Sequence, residues 1–325
     1  MGHLTRRKFI IAGTAAGAAI TTLGGPITAF AAQDKPTVGV GSKDFTESIV
    51  LAEIVALILE DAGYNVERQI NLGGTVVVHE AMVHGDIDIY LEYTGTGLLA
   101  ILGQELPENV NANAAASPEA GASPAAGVGI DPVYDIVARE YPEQFGLEWL
   151  QPWGFNNTYV MAVRAETAEE FGLTTISDLE GHAGNMTVGG TQEFLIRPDG
   201  LPGLEEMYDL QFGDSVGLDP GLVYSAMDQG DVDIISATAT DGRIPALGFV
   251  ALIDDRGFFP PYYAAPVVRQ DLLEESPEVA DLLNQLAGQI TDAEMAELNF
   301  QVDDGGAEAI DVARGFLETE GLIGS

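Results

Sequence analysis

The stretch GDIDIYLEYTGTG at residues 85–97 returns later in the chain as GDVDIISATATDG at residues 230–242. Extended to the left, AMVHGDIDI matches AMDQGDVDI at a constant offset of 145 residues. Each copy has a Gly-Asp pair, an apolar run and then a polar turn, a pattern that predicts the same strand and turn twice. A repeat of this kind indicates two lobes built to one plan.

A second pair of stretches supports the repeat, because TVGVGSKDF at 37–45 is similar to TVGGTQEF at 187–194. Strand patterns alternate with helix patterns in both halves, which predicts a parallel α/β sheet. Asp44 and Glu47 have the spacing of a capping box before an apolar helix. The predicted elements of the first half are strands at 36–42, 66–74 and 86–93 and helices at 49–63 and 75–85.

Two extended, aromatic segments that contain proline, at 150–164 and 249–269, are predicted to cross between the lobes. We therefore expect one lobe at 32–152 plus 255–325 and a second lobe at 153–254. The C-terminal helices are expected to pack back on the first lobe. Residues 111–130 are rich in Ala, Ser, Pro and Gly, a composition that cannot build a core and that predicts a disordered surface insertion.

Residues 1–31 have the pattern of an export signal, with paired arginines, an uncharged run and an Ala-Phe-Ala cleavage signature. Arg6-Arg7-x-Phe9 is similar to a twin-arginine signal. An ordinary secretory signal and an uncleaved N-terminal tether are the alternatives. In each case the rest of the chain is expected outside the cytoplasm.

The composition excludes several classes of partner and site. The formal net charge of −38 repels nucleic acid and anionic lipid, and it suits solubility in high salt. The chain has no cysteine, which rules out disulfides, thiolate metal sites, a cysteine nucleophile and a lipoprotein-type anchor. No metal site and no cofactor are predicted.

The turns that follow the predicted strands are candidate binding elements, because ligands of open α/β sheets lie beyond the carboxyl ends of the strands. GSKDFTE, EYTGTG and GGTQEF each combine glycine and hydroxyl residues with a helix start, which favours anions. Lys43 and Arg197 lie in two of these regions. The alternative is that both only offset the acidic surface.

Four tyrosines, Tyr93, Tyr159, Tyr262 and Tyr263, fall at predicted strand ends or in the crossings. The face of an aromatic ring attracts a cation, and several rings together favour a weakly hydrated cation such as a quaternary ammonium. The alternative is that these rings pack in the core.

The motifs GSKDFTES, EYTGTG, GFNNTY, ATDGRI and PPYYAAPVVR resemble the glycine betaine/carnitine/choline-type substrate-binding proteins of ABC importers. The resemblance runs from about residue 36 to the C-terminus. It implies an α/β, type II periplasmic-binding-protein fold, with two Rossmann-like lobes joined by two hinge crossings. It also implies a compatible-solute ligand held between aromatic faces and carboxylate-binding groups.

Carried over by resemblance, Lys43, Thr96 and Arg197 match positions that hold the ligand's carboxylate. Tyr93, Tyr159 and Tyr262 match positions of an aromatic cage around the trimethylammonium group. Thr238 stands where the family usually has one more cage tyrosine. Two alternatives follow: the cage is open on that wall, or a neighbour such as Trp153, Phe155 or Tyr263 fills the gap.

The resemblance implies an extracytoplasmic, monomeric binding protein that takes up a zwitterionic quaternary-ammonium solute for osmoprotection. Its partners would be the permease and the ATPase subunits, since the chain lacks a phosphate-binding GxxxxGK[ST] loop. The alternatives are a binding protein for another small zwitterion (an amino acid, an ectoine-like solute or choline) or an enzyme on the same fold. His79, His84 and His182 are too scattered to favour catalysis.

Overall fold

A computed structural model describes residues 35–107, 110 and 131–324 of the chain. The predicted export signal at 1–31 and the predicted insertion at 111–130 lie outside these residues. Within the described ranges, no helix has both the length and the apolar composition that crossing a membrane requires.

Two five-stranded sheets form the framework of the described chain, and the spatial order of their strands is the same. The first sheet has the order β2-β1-β3-β10-β4 and the second has the order β7-β6-β8-β5-β9. The strands are β1 (Thr37–Gly41), β2 (Asn65–Gln69), β3 (Ile89–Tyr93), β4 (Leu147–Trp149), β5 (Tyr159–Arg164), β6 (Thr187–Gly190), β7 (Asp214–Gly217), β8 (Ile234–Thr238), β9 (Phe249–Leu252) and β10 (Ala264–Arg269).

The internal repeat corresponds to equivalent strands of the two sheets. β3 lies beside β1 in the first sheet, and β8 lies beside β6 in the second sheet. The bounds of β3 and β8 differ by the same 145 residues as the sequence repeat. The helices before them end in the same way, since Gly85 and Gly230 both cap their helices in the left-handed conformation. The predicted two-lobed α/β fold is therefore confirmed.

The predicted all-parallel arrangement is wrong, because one strand of each sheet runs against its neighbours. β10 is antiparallel to β3 and β4, and β5 is antiparallel to β8 and β9. Both strands come directly from the other sheet. They are not preceded by a helical crossover on their own sheet, which is the connection that would make them parallel.

Helices surround both sheets. Their bounds are α1 (Thr46–Asp61), α2 (Thr75–His84), α3 (Thr94–Thr96), α4 (Pro132–Phe145), α5 (Ala165–Phe171), α6 (Gln192–Ile196), α7 (Leu201–Tyr208), α8 (Val223–Gln229), α9 (Arg243–Ala246), α10 (Gln270–Glu275), α11 (Glu278–Leu283), α12 (Asp292–Asp303) and α13 (Ala309–Glu320). A π-helical turn at Gly97–Ile101 follows α3.

Helix α1 is the central helix of the first lobe. It is apolar on all sides, and Leu51, Ile54 and Leu59 are completely buried. A helix of this kind needs neighbours around its whole circumference. α11, α12 and α13 supply them, so the C-terminal helices do pack on the first lobe as predicted.

The chain passes between the sheets at 150–158 and again at 253–263. The two segments meet, because Asn156 and Tyr263 form an antiparallel bridge. Two hydrogen bonds join them further: Asn157 N donates to Tyr262 O at 3.1 Å, and Tyr262 N donates to Asn156 Oδ1 at 2.7 Å. The predicted pair of crossings is thus a short, hydrogen-bonded double connection.

Gly154 in the first crossing allows a conformation that other residues reach only with strain. Its φ is +125°, and a Cβ there would lie 2.7 Å from the carbonyl oxygen of Ile290. We expect Gly154→Ala to lower the free energy of unfolding by roughly 2–4 kcal/mol, from backbone strain and the contact together. Urea denaturation measures this change.

Gly172→Ala is the matched control, since Gly172 has a φ of +68° but open space around it. This variant should lower the free energy of unfolding by only about 1 kcal/mol, because it adds the penalty of the left-handed conformation without a steric contact. Equal losses for the two variants would contradict a steric role of Gly154.

Candidate functional site

A cavity of about 620 Å³ lies where the carboxyl ends of β1, β3 and β8 approach the start of α6. This volume is within the usual range for small-molecule sites. All seven predicted site residues line it: Lys43, Tyr93, Thr96, Tyr159, Arg197, Thr238 and Tyr262.

Two serine hydroxyls, one in the turn after β1 and one in the first turn of α1, fix the backbone of this turn. Ser48 Oγ accepts a hydrogen bond from Lys43 N at 2.9 Å, and Ser42 Oγ accepts one from Asn71 N at 2.7 Å. Both serines are buried. These bonds fix the backbone of Lys43 at the carboxyl end of the strand and direct its side chain into the first lobe's side of the cavity.

Lys43 is buried and is already paired with an acid. Its Nζ lies 2.5 Å from Glu92 Oε1 and 3.0 Å from Thr75 Oγ1, and 5.3 Å from the centre of the Tyr93 ring. An ammonium group has three donors, so one donor remains for a ligand. Glu92 compensates the charge of Lys43, which weakens its attraction for an anion.

Arg197 is held in the same way by Asp199. Its Nε donates to Asp199 Oδ1 at 2.8 Å and its Nη2 contacts Asp199 Oδ2, while Nη2 also lies 3.3 Å from Thr96 Oγ1 in the first lobe. Tyr262 Oη donates to the same Asp199 carboxylate at 2.6 Å. One buried acid therefore orients a predicted carboxylate-binding residue and a predicted cage tyrosine.

The aromatic lining consists of two groups. The Tyr159 and Tyr262 rings are 5.5 Å apart and nearly perpendicular, at 84°, and the Tyr159 ring packs on Phe194 at 5.3 Å. On the side of the first lobe, the Phe45 and Tyr93 rings are 6.1 Å apart. Burial raises the pKa of the Tyr159 phenol to about 12, so this ring is neutral at ordinary pH.

Of the two alternatives for the missing cage tyrosine, replacement by a neighbour is wrong for the three named residues, since Trp153, Phe155 and Tyr263 are not among the described residues that line the cavity. Trp153 and Phe155 are completely buried in the core. The indole nitrogen of Trp153 donates to Leu283 O at 3.2 Å, a bond available only in that core position.

Two residues that the sequence did not suggest, Phe45 and Tyr224, line the cavity instead. Thr238 faces Tyr159 across the pairing of β5 with β8. The wall at Thr238 is therefore formed by a hydroxyl beside an aromatic ring from the neighbouring strand.

The predicted capping box at Asp44 and Glu47 is also wrong. Helix α1 follows Phe45 with no side-chain cap, and the Glu47 side chain is buried at the cavity. Sequence spacing suggested a cap because it could not show that β3 supplies a buried hydroxyl, from Tyr93, directly beside this carboxylate. Burial raises the pKa of Glu47 to about 7, against four hydrogen bonds that lower it.

Further polar contacts join the lobes beside the cavity. Glu193 on α6 accepts from Thr75 N at 2.6 Å and from Thr75 Oγ1 at 3.1 Å, and so caps α2 from the other lobe. The residue at the helix's own cap position, Gly74, has no side chain to do this. Elsewhere Arg243 lies 3.1 Å from Asp303, the last residue of α12.

Asp241 lies shortly before helix α9 and holds the turn that leads into it. Its Oδ1 accepts from Arg243 N at 2.9 Å, at the start of α9, and its carboxylate pairs with the Arg243 guanidinium at 2.6 Å. Arg243 in turn lies 4.0 Å over the Tyr224 ring. Asp241 also lines the cavity.

Acids outnumber bases in the lining, and this excess favours a ligand that carries a positive charge. The lining bases are Lys43, Arg197 and Arg243, and the lining acids are Asp44, Glu47, Glu193, Asp219, Asp241 and Asp303. Among the described residues, no group of three or more potential ligands is arranged to hold a metal ion.

The histidines do not contribute to this cavity's lining in the described chain. His79 is buried with its ring 4.6 Å from Phe145, and His84 is exposed beside Glu80. His182 packs on Phe171 at 4.6 Å. Each has a packing contact or a surface ion pair.

Comparison with known proteins gives a family match over nearly the whole described chain. Residues 36–319 match a family model described as the substrate-binding domain of the ABC-type glycine betaine transport system. A carnitine transport binding protein, OpuCC, of Listeria monocytogenes is 34% identical over 287 residues, 87% of each chain. A glycine-betaine-binding protein of Pseudomonas aeruginosa is 35% identical over 298 residues, 88% of this chain and 89% of the other.

A solved structure has the same architecture. It is a crystal structure described as that of a glycine betaine/carnitine/choline ABC transporter, with a TM-score of 0.67 and 30% sequence identity. It covers 88% of this chain and 99% of that one.

The Glu193 contact predicts a measurable effect on the position of the lobes. We expect Glu193→Ala to remove the cap that α2 receives from the other lobe, which costs about 1 kcal/mol. The closed arrangement, in which Glu193 of the second lobe contacts Thr75 of the first, should become roughly fivefold less populated relative to an open arrangement without this contact. Small-angle X-ray scattering should then show a larger radius of gyration.

The exposed Glu170 on α5 provides a control with the same change of charge. Glu170→Ala should leave the scattering curve unchanged. If both variants scatter like the wild type, the Glu193 contact does not stabilise the closed arrangement.

Proposed function

The chain belongs to the family of substrate-binding domains of ABC-type glycine betaine transport systems, and we propose that its cavity binds glycine betaine or a close quaternary-ammonium relative. The observation that carries the proposal is the lining itself. Three tyrosines, Tyr93, Tyr159 and Tyr262, face a cavity in which acids outnumber bases.

The perpendicular rings of Tyr159 and Tyr262 supply two faces for a trimethylammonium group. A quaternary ammonium has no N–H donor, so it gains more from ring faces than from a carboxylate hydrogen bond. The acidic excess adds long-range attraction for its charge. Tyr93 supplies a further face from the first lobe.

The ligand carboxylate would meet Lys43, Thr96 and Arg197. Lys43 has one unused donor, and the Nη1 group of Arg197 lies 3.6 Å from Glu193, outside its tight pair with Asp199. Thr96 and Arg197 approach each other from different lobes, so a carboxylate between them would join the lobes. Because acids already pair both bases, this contribution is expected to be smaller than that of the aromatic faces.

Contacts from both lobes are made together only when the lobes are close, so a ligand favours the closed arrangement. The family is one of transport components rather than enzymes. In our proposal the chain acts outside the cytoplasm as a monomer, makes and breaks no bond, and delivers its ligand to a permease whose ATPase subunits are separate. Export by the twin-arginine signal at 1–31 is part of the same proposal.

A second candidate ligand is a small amino acid or another zwitterion. It is favoured by Glu193, Asp219 and Asp241, which line the cavity and can accept hydrogen bonds from a primary or secondary ammonium. The absence of a tyrosine at Thr238 also leaves room for a ligand of different shape. Methylation of the ligand's nitrogen separates the two candidates.

A ligand panel in a thermal unfolding experiment tests the ligand class. We expect glycine betaine, carnitine or proline betaine to raise Tm by roughly 5 °C at 100 times Kd. Choline, which lacks the carboxylate, should give a smaller shift, and inorganic anions none. An equal response to choline and glycine betaine would contradict the role of Lys43 and Arg197, and a response to glycine or proline alone would favour the second candidate.

Tyr159 provides a sharp test of the ring-face contribution, because its ring lines the cavity and packs against Tyr262 and Phe194. Tyr159→Phe keeps the face and should bind glycine betaine within about twofold of the wild type. Tyr159→Leu keeps the apolar volume but loses the face, which should weaken binding roughly 5- to 30-fold. Isothermal titration calorimetry measures both, and equal affinities for Phe and Leu would contradict a cation–π contact.

A further inference from the structure

We infer that Glu47 is the positioning residue of this site: it holds the Tyr93 ring, joins the two lobes beneath the ligand, and through its own charge sets how tightly a cationic ligand binds. The part that concerns ligand affinity rests on the proposed function. The part that concerns Glu47 itself can be tested on the protein alone.

The Glu47 carboxylate receives hydrogen bonds from four distant segments of the chain. Oε1 accepts from Tyr93 Oη at 2.8 Å and from Asn157 Nδ2 at 2.7 Å. Oε2 accepts from Thr240 Oγ1 at 2.5 Å and from Asn299 Nδ2 at 3.0 Å. These donors lie at the end of β3, in the first crossing, after β8 and on α12.

The four bonds connect both lobes through one side chain. Tyr93 and Asn299 belong to elements of the first sheet's lobe, whereas Thr240 follows β8 of the second sheet. Asn299 Nδ2 also donates to Thr240 O at 2.9 Å. Separation of the lobes would therefore remove partners from a buried carboxylate, which is costly.

The same atoms can accommodate a proton without an unsatisfied donor. Thr240 Oγ1 lies 2.5 Å from Glu47 Oε2 and 2.9 Å from Asn157 Oδ1. When Glu47 is ionised, the threonine hydroxyl donates to it. When Glu47 is protonated, its O–H donates to Thr240 Oγ1 and the threonine hydroxyl turns to Asn157 Oδ1, so both states are hydrogen-bonded.

Tyr93 connects this network to the ligand. Its hydroxyl donates to Glu47 while its ring lines the cavity, with Phe45 6.1 Å away and the Lys43 ammonium 5.3 Å from its centre. This bond anchors the far end of the side chain and so holds the ring at the wall of the cavity. The position of one cage ring thus depends on the Glu47 carboxylate.

The two bases that line the cavity around Glu47, Lys43 and Arg243, are already paired with acids. Lys43 after β1 pairs with Glu92 of β3. Arg243, after β8, pairs with Asp241 and with Asp303 of α12. Asp44 lines the same cavity from the turn before α1, and the Tyr93 phenol has its pKa raised by burial, so it stays neutral.

Burial raises the pKa of Glu47 to about 7, so its charge changes near neutral pH. The folded chain therefore holds a proton that the unfolded chain releases between about pH 4.5 and 7, and the stability contributed by this group falls as pH rises through that window. Folding favours the protonated form of Glu47, whereas a cationic ligand favours the ionised form. Such a ligand binds best to the ionised form and releases the proton when it binds.

The first measurement uses the protein without ligand. Tm is recorded from pH 5 to 8 for the wild type, for Glu47→Gln, and for Glu53→Gln, a substitution at a buried residue of the same helix that pairs with Arg68. As pH rises from 5 to 7, we expect the Tm of the wild type to fall by several degrees relative to the Tm of Glu47→Gln. A difference that stays constant over this range would overturn the inference.

The second measurement is the pH dependence of Kd for glycine betaine by calorimetry. The wild type and Glu53→Gln should bind roughly tenfold more weakly at about pH 5.5 than at pH 8, the loss expected when a charge several ångströms from the cation is neutralised. Glu47→Gln should bind with the same affinity at both pH values, close to that of the wild type at low pH. Identical profiles for wild type and Glu47→Gln would overturn the inference.

Tyr93→Phe tests the positioning role and remains informative if Glu47→Gln fails to fold. It removes the hydroxyl that Glu47 holds but leaves a ring and the carboxylate. We expect weaker binding at every pH with the pH profile retained, and a loss of the profile would contradict the assignment to Glu47. If no ligand of the panel binds while the ligand-free Tm profiles differ as described, the proposed function fails and the Glu47 network stands.

Discussion

A charged side chain can be buried only with a partner, and the cavity of this protein is assembled from such pairs. Glu92 holds Lys43, and Asp199 holds both Arg197 and Tyr262. Each pair fixes the side chain that faces the cavity and compensates its charge. The charges of the two bases are therefore largely compensated by their acidic partners. The aromatic faces and the other acids of the lining decide which ligand the cavity attracts.

Glu47 completes this arrangement and differs from Glu92 and Asp199 because the groups that donate hydrogen bonds to it are neutral. Hydroxyl and amide groups satisfy its oxygens, but they compensate its charge less than a base would. Burial raises the pKa of Glu47, and the hydrogen bonds from these neutral groups offset that rise only in part. The same residue joins the lobes, so the geometry of the cleft and the charge beneath it are physically linked.

The acidic residues of this protein occupy two different environments. Most of the 51 acids contribute to a solvated surface, where salt screens their repulsion. A few are buried or line the cavity, where screening is weak and each has a specific partner, as Glu193 has in Thr75 and Asp303 in Arg243. Net charge alone could not separate these groups, because they differ in environment and not in residue type.

The sequence by itself determined the two-lobed plan, because local patterns record strands, turns and a repeat at a spacing of 145 residues. The resemblance of its motifs to a known family added the residues expected at the cleft, and the last residues of equivalent strands, Tyr93 of β3 and Thr238 of β8, do line the same cavity. Only the tertiary structure decided the antiparallel β5 and β10, the burial of Trp153 in the core and the use of Glu47 as a junction rather than a cap. These features depend on contacts between residues that are distant in the chain, and such contacts leave no periodic signal in the sequence.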